Sequence, residues 1–126
     1  DGPIKKQIEK SIISNNLSLR VKLINYSKDV RSYYCGADYL ISNSFDESFG
    51  LIFYEALLCG LPVIAREIPA TTKLTRFGIK LFNNLDELKG LSHLKKRRVS
   101  KEKITVVKST ISFKNYLQQF YSVLKK

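Results

Sequence analysis

The chain has 126 residues, and its 22 lysines and arginines against 11 aspartates and glutamates give a formal net charge of +11. This length accommodates one domain, and a hydrophobic fraction of 44% with seven Tyr and seven Phe excludes an intrinsically disordered protein. No apolar run approaches the roughly 20 residues of a membrane-spanning helix. The spacing of Cys35 and Cys59 fits neither a disulfide framework nor a zinc motif, so we expect a reducing, cytoplasmic location.

The first part of the chain predicts helix, strand and helix. Isoleucines recur every four residues after Pro3, which predicts an amphipathic helix over Pro3–Ile13. The apolar run Val21–Ile24 predicts a short strand. Ser27 is a suitable N-cap for a second helix over Lys28–Cys35, which Gly36 ends.

The middle of the chain alternates short strands with helices. Leu51–Cys59 is apolar at nearly every position, which predicts a helix buried most of the way round and closed by Gly60. The predicted strands around this helix are Tyr39–Ser42, Pro62–Ala65 and Ile79–Phe82, and a short helix is predicted over Thr71–Phe77. Beyond Asp86 the pattern is helical, with pieces at Leu85 and Leu88, at Ile104–Lys108, and in a stripe of Phe113, Leu117, Phe120 and Leu124.

This alternation predicts an α/β fold, a partial doubly wound, Rossmann-like parallel sheet with flanking helices. Parallel strands need crossover helices, and apolar strands of this kind are covered on both faces. Four strands are few for such a sheet, so we expect neighbouring strands to precede Asp1 in a longer polypeptide.

Positive charge is concentrated near the C-terminus. Residues 1–88 carry 11 basic and 10 acidic side chains, whereas residues 89–126 carry 11 basic side chains and one acid, Glu102. Such an asymmetry points to phosphate, in nucleic acid or at a membrane surface, with a lysine-rich solvated face as the alternative. The charge is densest at Lys95, Lys96, Arg97 and Arg98.

Two carboxylates stand out beside the predicted central helix. An ionised Glu55 within so apolar a helix needs partners, which are either ligand hydroxyls or a lysine or arginine of the protein. Glu47 precedes Glu55 by eight residues, at the turn between strand and helix. Eight helical residues rise about 12 Å. This span exceeds the roughly 5–10 Å of a glycosidase pair and suits the two ends of one extended ligand.

Gly50 lies between these carboxylates, where the helix begins. The start of a helix offers unpaired N–H groups and the positive end of its dipole, and glycine permits close approach of a phosphate. In open α/β sheets, ligands bind beyond the carboxyl ends of the strands. The order of carboxylate, phosphate-binding amides and second carboxylate suits a nucleoside diphosphate-sugar.

The segment from Glu47 to Ile64, Glu-Ser-Phe-Gly-Leu-Ile-Phe-Tyr-Glu-Ala-Leu-Leu-Cys-Gly-Leu-Pro-Val-Ile, resembles the E-x7-E region of retaining, metal-independent glycosyltransferases of group 1. Asp1-Gly2-Pro3 resembles the end of that family's G-x-G-P turn, and the stretch from Asp29 to Asp38 resembles its D-V-x-x-x-Y-x-x-A-D motif. The resemblance implies the C-terminal, donor-binding lobe of a two-lobed GT-B enzyme, with residues 1–126 forming part of that lobe.

The resemblance also implies roles for individual residues. Glu47 would be the catalytic-site carboxylate that contacts the donor sugar, and Glu55 would bind the ribose hydroxyls. The amides of Gly50 and Leu51 would hold the diphosphate. The donor-binding set is Ser48, Phe49, Gly50, Leu51 and Glu55. No metal ligand and no cofactor are expected, because the nucleotide-sugar is a substrate.

The function that the resemblance implies is sugar transfer to a glycan or lipid-linked acceptor, as in polysaccharide biosynthesis. Upstream strands, a basic residue and the acceptor lobe would precede Asp1, so we expect residues 1–126 alone to be inactive. The basic segment would hold the enzyme at the inner face of the membrane, and no nucleic-acid partner is expected. The competing hypothesis is a basic, non-enzymatic nucleic-acid-binding module.

Arg66 lies where the family often has a Gly-Gly pair. Its guanidinium either binds a phosphate or forms a salt bridge with Glu67 or another acidic residue.

Overall fold

The computed structural model describes residues 2–93 and 98–110. The chain forms two compact units, Asp1–Val30 and Arg31–Lys126. The predictions for Lys95, Lys96 and Arg97 fall outside the described residues. So does the predicted terminal stripe of Phe113, Leu117, Phe120 and Leu124.

The first unit contains helix α1, Lys5–Ser14, which confirms the predicted helix with a shift of about two residues. Asn15 is the C-cap of this helix, where its backbone N–H donates to the Ser11 carbonyl at 3.1 Å and its side-chain amide donates to the same oxygen at 2.8 Å. Asn16 then takes a left-handed backbone conformation with φ 56°, which asparagine tolerates better than most residues.

The strand predicted over Val21–Ile24 was wrong. The strands assigned in the described part of the chain do not include these residues, and the N–H groups of Arg20 and Val21 both bond the Leu17 carbonyl at 2.8 Å, as in a turn. Val21, Leu23 and Ile24 are about two-fifths exposed. An apolar run supplies only strand propensity, and a strand forms only where a second strand bonds its backbone.

The second unit contains three strands, β1 Leu40–Ser42, β2 Val63–Arg66 and β3 Lys80–Phe82. They form a parallel sheet in the order β1-β2-β3, as predicted for three of the four runs. Leu40 of β1 lies opposite Val63 of β2, and Ile64 of β2 lies opposite Lys80 of β3.

Helices occupy the connections between the strands. Helix α3, Leu51–Leu58, links β1 to β2. Helix α4, Pro69–Thr72, and a 3₁₀ turn, Thr75–Phe77, link β2 to β3, so the predicted helix over Thr71–Phe77 is divided in two. Pro69 begins α4, where proline suits the first helical turn. The bounds are α2 Val30–Gly36, α3 Leu51–Leu58, α4 Pro69–Thr72, 3₁₀ helices Thr75–Phe77 and Leu85–His93, and α5 Lys101–Thr110.

The core of this unit lies around α3. Its buried face carries Phe53, Ala56, Leu57 and Leu58, but Ile52 remains 36% exposed. One side of α3 is therefore open, in contrast to the burial on nearly all sides that its composition predicted. The core is completed by residues from the strands, the loops and α5, including Leu61, Val63, Ala65, Phe77 and Val107.

Candidate functional site

The segment 43–50 follows the carboxyl end of β1 and leads into α3, which places it where ligands bind in open parallel sheets. Two aromatic side chains of this segment face solvent, Phe45 at 76% exposure and Phe49 at 50%. Ser48 is also exposed, and the Phe49 ring lies 6.3 Å from that of Tyr54. These three side chains are therefore accessible to solvent.

Gly50 is the N-cap of α3, so the helix begins at Leu51 as predicted. Its backbone has φ 63° and ψ 42°, a left-handed conformation that favours glycine. A Cβ at this position would lie 2.6 Å from Cδ2 of Phe53, whose side chain is fully buried. Both the backbone conformation and the packing of Phe53 therefore require glycine at the start of the helix.

Glu55 lies in the middle of α3 and is half-buried, less than its apolar neighbours predicted. The Tyr34 hydroxyl donates a hydrogen bond of 3.0 Å to Oε2 of Glu55. Tyr34 belongs to α2 and is only 8% exposed, so its ring is fixed by packing. A protein hydroxyl thus orients this carboxylate, a partner that the sequence did not suggest.

Glu47 has a different environment. It lies in the loop before Gly50 and is half-buried, and no residue that the structure describes donates a hydrogen bond to its carboxylate or pairs with it. The distance expected from eight helical residues does not apply, because the chain becomes helical only at Leu51. One carboxylate is therefore held by the protein, and the other is presented by a loop.

The sequence did not reveal the structural role of Arg66 in this region. At the carboxyl end of β2, its Nε and Nη2 donate to Oδ1 of Asn43 at 2.9 and 2.7 Å. Its Nη1 donates to the carbonyl of Asn83 at 2.9 Å. These three bonds do not involve Glu67; they join the residues that follow β1 and β3.

The guanidinium also covers aromatic rings. Its central carbon lies 4.3 Å from the centre of the Phe45 ring and 5.5 Å from that of Phe82. Arg66 thus contacts the first and third residues of the segment 43–50 and restrains the loop that carries Glu47. A signal was present in the sequence, since a polar residue occurs at the end of each of the three strand runs: Asn43, Arg66 and Asn83.

The described part of the chain has neither a metal centre nor a membrane-spanning helix. Within residues 2–93 and 98–110, no three side chains of His, Cys, Asp or Glu form a group able to hold a metal ion. None of the helices described there combines the length and apolar character needed to cross a bilayer.

The profile of the family described as "Glycosyl transferases group 1" matches residues 1–78, which include α2, β1, α3, β2 and both carboxylates. The chain belongs to this family. Its parallel sheet with flanking helices is consistent with a Rossmann-like lobe of the GT-B architecture, as the resemblance implied.

Three curated proteins are similar in sequence to parts of this chain. An uncharacterized glycosyltransferase of Methanocaldococcus jannaschii is 33% identical over 70 residues, which cover 54% of this chain and 20% of that protein. A probable transglycosylase of Burkholderia thailandensis is 43% identical over 47 residues, or 37% of this chain and 13% of that protein. The alpha-monoglucosyldiacylglycerol synthase of Acholeplasma laidlawii is 33% identical over 129 residues, or 97% of this chain and 32% of that protein. The chain therefore spans at most about a third of these relatives.

Proposed function

We propose that residues 1–126 form part of the C-terminal, donor-binding lobe of a retaining glycosyltransferase, which transfers a sugar from a nucleoside diphosphate-sugar to a glycan or lipid-linked acceptor. The observation that carries the proposal is the arrangement at the start of α3. A helix N-terminus with an obligatory glycine lies between a carboxylate oriented by Tyr34 and a carboxylate presented by a loop. Family membership supports sugar transfer over the alternative of a nucleic-acid-binding module.

The amides at the start of α3 would bind the diphosphate. The first N–H groups of a helix have no partner within the helix, and the helix dipole favours an anion there. The Gly50 and Leu51 amides lie at this start of the helix, and they are the groups that would donate to the phosphate oxygens. Ser48 and Phe49 would line this part of the donor site.

The two carboxylates would recognise the two ends of the donor. Glu55 accepts a hydrogen bond from Tyr34 through one oxygen, and a carboxylate has further acceptor positions for ribose hydroxyls. Glu47 would accept hydrogen bonds from the sugar hydroxyls, because its loop position leaves it available to a ligand. Charge-assisted bonds of this kind are about twice as strong as neutral ones.

During transfer, the bond between the anomeric carbon and the diphosphate oxygen would break, and the acceptor oxygen would bond to the same carbon on the same face. The departing diphosphate oxygen would keep the electron pair of the broken bond, so negative charge develops on it, and it would take up the proton that the acceptor hydroxyl loses. Amides aimed at that charge stabilise the transition state because they need little reorganisation. We propose that this stabilisation requires no divalent metal.

The experiment uses the complete polypeptide that carries this sequence. Transfer would be followed by release of nucleoside diphosphate across a panel of nucleotide-sugars, and the anomeric configuration of the product by NMR. We expect one preferred donor, retention of configuration, and activity that persists in a chelator. Inversion of configuration would refute the retaining mechanism, and loss of activity that only Mg²⁺ or Mn²⁺ restores would refute metal independence.

A lipid-linked acceptor is the narrower form of the proposal. The similarity to a protein named alpha-monoglucosyldiacylglycerol synthase supports it, as does the excess of basic side chains in residues 89–126. Each Lys or Arg near an anionic membrane surface contributes about 1 kcal/mol. The enzyme would then work at the cytoplasmic face of the membrane, in contact with anionic lipid through Lys95, Lys96, Arg97 and Arg98.

Vesicle sedimentation tests this membrane contact. We expect the protein to sediment with anionic vesicles and not with neutral ones, and to be released as added salt shortens the Debye length below about 10 Å. Neutral replacements at Lys95, Lys96, Arg97 and Arg98 should reduce sedimentation with anionic vesicles and leave the circular dichroism spectrum of the folded protein unchanged. Equal binding to both vesicle types, or stronger salt-sensitive binding to RNA, would contradict membrane contact.

A further inference from the structure

Phe45 lies outside the donor-binding set named above, although it belongs to the same segment 43–50. Its side chain is 76% exposed. A single exposed apolar side chain is ordinary at a protein surface and by itself indicates no ligand. Phe45 differs from such a residue in two respects, which are the support beneath its ring and the place of that ring at the edge of the sheet.

The support is the guanidinium of Arg66, whose central carbon lies 4.3 Å from the centre of the Phe45 ring. Three hydrogen bonds hold this guanidinium, two to Oδ1 of Asn43 at 2.9 and 2.7 Å and one to the Asn83 carbonyl at 2.9 Å. Attraction between a cation and the face of an aromatic ring favours this stacked arrangement. The Phe45 ring therefore rests on a group that hydrogen bonds fix in position.

The ring lies at the carboxyl edge of the sheet. Arg66 is the last residue of β2 and is opposite Phe82 of β3, and Asn43 directly follows β1. Contact with Arg66 thus places Phe45 next to the end of the central strand, at the edge where open parallel sheets bind their ligands. Because a ring that is already ordered loses little side-chain freedom on binding, it offers a ligand an apolar face at low entropic cost.

We propose that Phe45 is a sugar-stacking residue, whose accessible ring face receives the apolar face of the pyranose ring of the nucleotide-sugar. A pyranose carries hydroxyl groups around its rim and C–H groups on its two faces. The face of an aromatic ring is slightly negative, so it attracts C–H groups, and the contact also removes apolar surface from water. The inference rests on the proposed function and adds a specificity residue to its donor site.

The position of Phe45 favours the sugar over the nucleobase, although bases also stack on aromatic rings. In the proposed function Glu55 binds the ribose and Glu47 binds the sugar, with the diphosphate between them at the start of α3. Phe45 precedes Glu47 by two residues, so it belongs to the sugar end of the donor. Glu47 would bond hydroxyls at the rim of the sugar while Phe45 covers its face.

Binding measurements on the complete polypeptide test this role. The probes are UDP-glucose, UDP-galactose, UDP-N-acetylglucosamine and GDP-mannose, each compared with its free nucleoside diphosphate by calorimetric titration without acceptor. For the nucleotide-sugar that the wild type prefers, Phe45→Leu should weaken binding about three- to tenfold, because leucine keeps apolar bulk but lacks the aromatic face. Affinity for the free nucleoside diphosphate should not change, and Phe45→Tyr should bind both compounds as the wild type does.

Tyr26→Leu is the matched control, because Tyr26 is 84% exposed and belongs to the first unit. This variant removes an exposed aromatic ring outside the segment 43–50. Both affinities should therefore stay at the wild-type values. A loss of nucleotide-sugar affinity in Tyr26→Leu equal to that in Phe45→Leu would overturn the proposal.

A fluorescent substitution separates direct stacking from a merely structural role, in which Phe45 only covers Arg66. Residues 1–126 contain no tryptophan, so Phe45→Trp introduces an indole at the proposed site. We expect the difference in emission between Phe45→Trp and the wild type to change on addition of the preferred nucleotide-sugar, and to change little with the free nucleoside diphosphate. A change of the same size with both compounds, or with neither, overturns the proposal.

The remaining outcomes distinguish this inference from the proposed function. A wild-type protein that binds none of the four nucleotide-sugars overturns both. If the wild type binds one of them and Phe45→Leu binds it equally well, only the role of Phe45 is wrong. Weaker binding of the free nucleoside diphosphate in Phe45→Leu would assign the ring to the base, and a loss confined to the KM of the acceptor would assign it to the acceptor; either result overturns the proposal.

Discussion

The Tyr34 hydroxyl lies 3.0 Å from Oε2 of Glu55 and joins helix α2 to helix α3. Tyr34 is almost fully buried, whereas Glu55 is half-buried. The bond therefore combines a rigid donor with a carboxylate that can also reach a ligand. An isolated charge in the apolar α3 would be costly, and this hydroxyl lowers that cost while fixing the direction of the carboxylate.

Replacement of Tyr34 by Phe removes the hydroxyl and keeps the ring. Since a hydrogen bond to a charged group contributes about 1.5–3 kcal/mol, we expect a lower free energy of unfolding and nucleotide binding about tenfold weaker, which corresponds to about 1.4 kcal/mol. Urea unfolding and calorimetric titration of the complete polypeptide measure the two effects. Tyr33→Phe is the matched control, because Tyr33 is 49% exposed; equal effects of the two variants would contradict the role of Tyr34.

The two carboxylates should respond differently to loss of charge. Glu55→Gln should weaken binding of the free nucleoside diphosphate by about 1.5–3 kcal/mol, because the ribose contact forms with or without a sugar. Glu47→Gln should leave nucleotide affinity unchanged and depress transfer. Titration with the nucleoside diphosphate, set beside the rate of sugar transfer, measures both. Similar losses of nucleotide affinity in the two variants would show that the roles are assigned wrongly.

Gly50→Ala should damage both the fold and the proposed diphosphate site. A left-handed conformation costs a non-glycine residue roughly 1–2 kcal/mol, and the new Cβ would lie 2.6 Å from the buried Phe53 ring. We expect destabilisation of at least about 2 kcal/mol, because overpacking adds to the backbone cost. Thermal and urea unfolding give the value.

Gly36→Ala is the matched control for that substitution. Gly36 is the last residue of α2, and its φ is not positive. A Cβ added there would meet no heavy atom within 4 Å. Alanine should be neutral at this position or stabilising by up to about 1 kcal/mol. If Gly50→Ala is tolerated as well as Gly36→Ala, the close packing at the start of α3 is not required.

Features that depend on neighbouring residues could be predicted from sequence. Gly50 and Gly60 bracket α3 because a helix boundary is a local event. The strand prediction for Val21–Ile24 was wrong because strand formation depends on a partner strand elsewhere in the chain. Likewise, the sequence shows a polar residue at the end of each strand run, but no local pattern indicates that Arg66 bonds Asn43, 23 positions away.

Arg66 offers a test of whether the loop that carries Glu47 must be held in place. Lysine keeps the charge but replaces the planar fork with a single ammonium, which cannot reproduce two bonds to Asn43 and one to Asn83. We therefore expect Arg66→Lys to lower kcat about tenfold or more, with a smaller effect on affinity for the free nucleotide.

The partner substitution Asn43→Ala should give a similar loss of kcat. The double variant should have a kcat little lower than either single variant, because all three variants remove the same Arg66–Asn43 interaction. Arg76→Lys is the control, since Arg76 is exposed and covers the Phe77 ring at 4.7 Å; its kcat should stay near that of the wild type. Steady-state kinetics give kcat for each of these variants. Two outcomes would show that the Arg66–Asn43 contact does not position the Glu47 loop. In one, the losses of kcat in Arg66→Lys and Asn43→Ala add fully in the double variant; in the other, kcat is as low in Arg76→Lys as in Arg66→Lys.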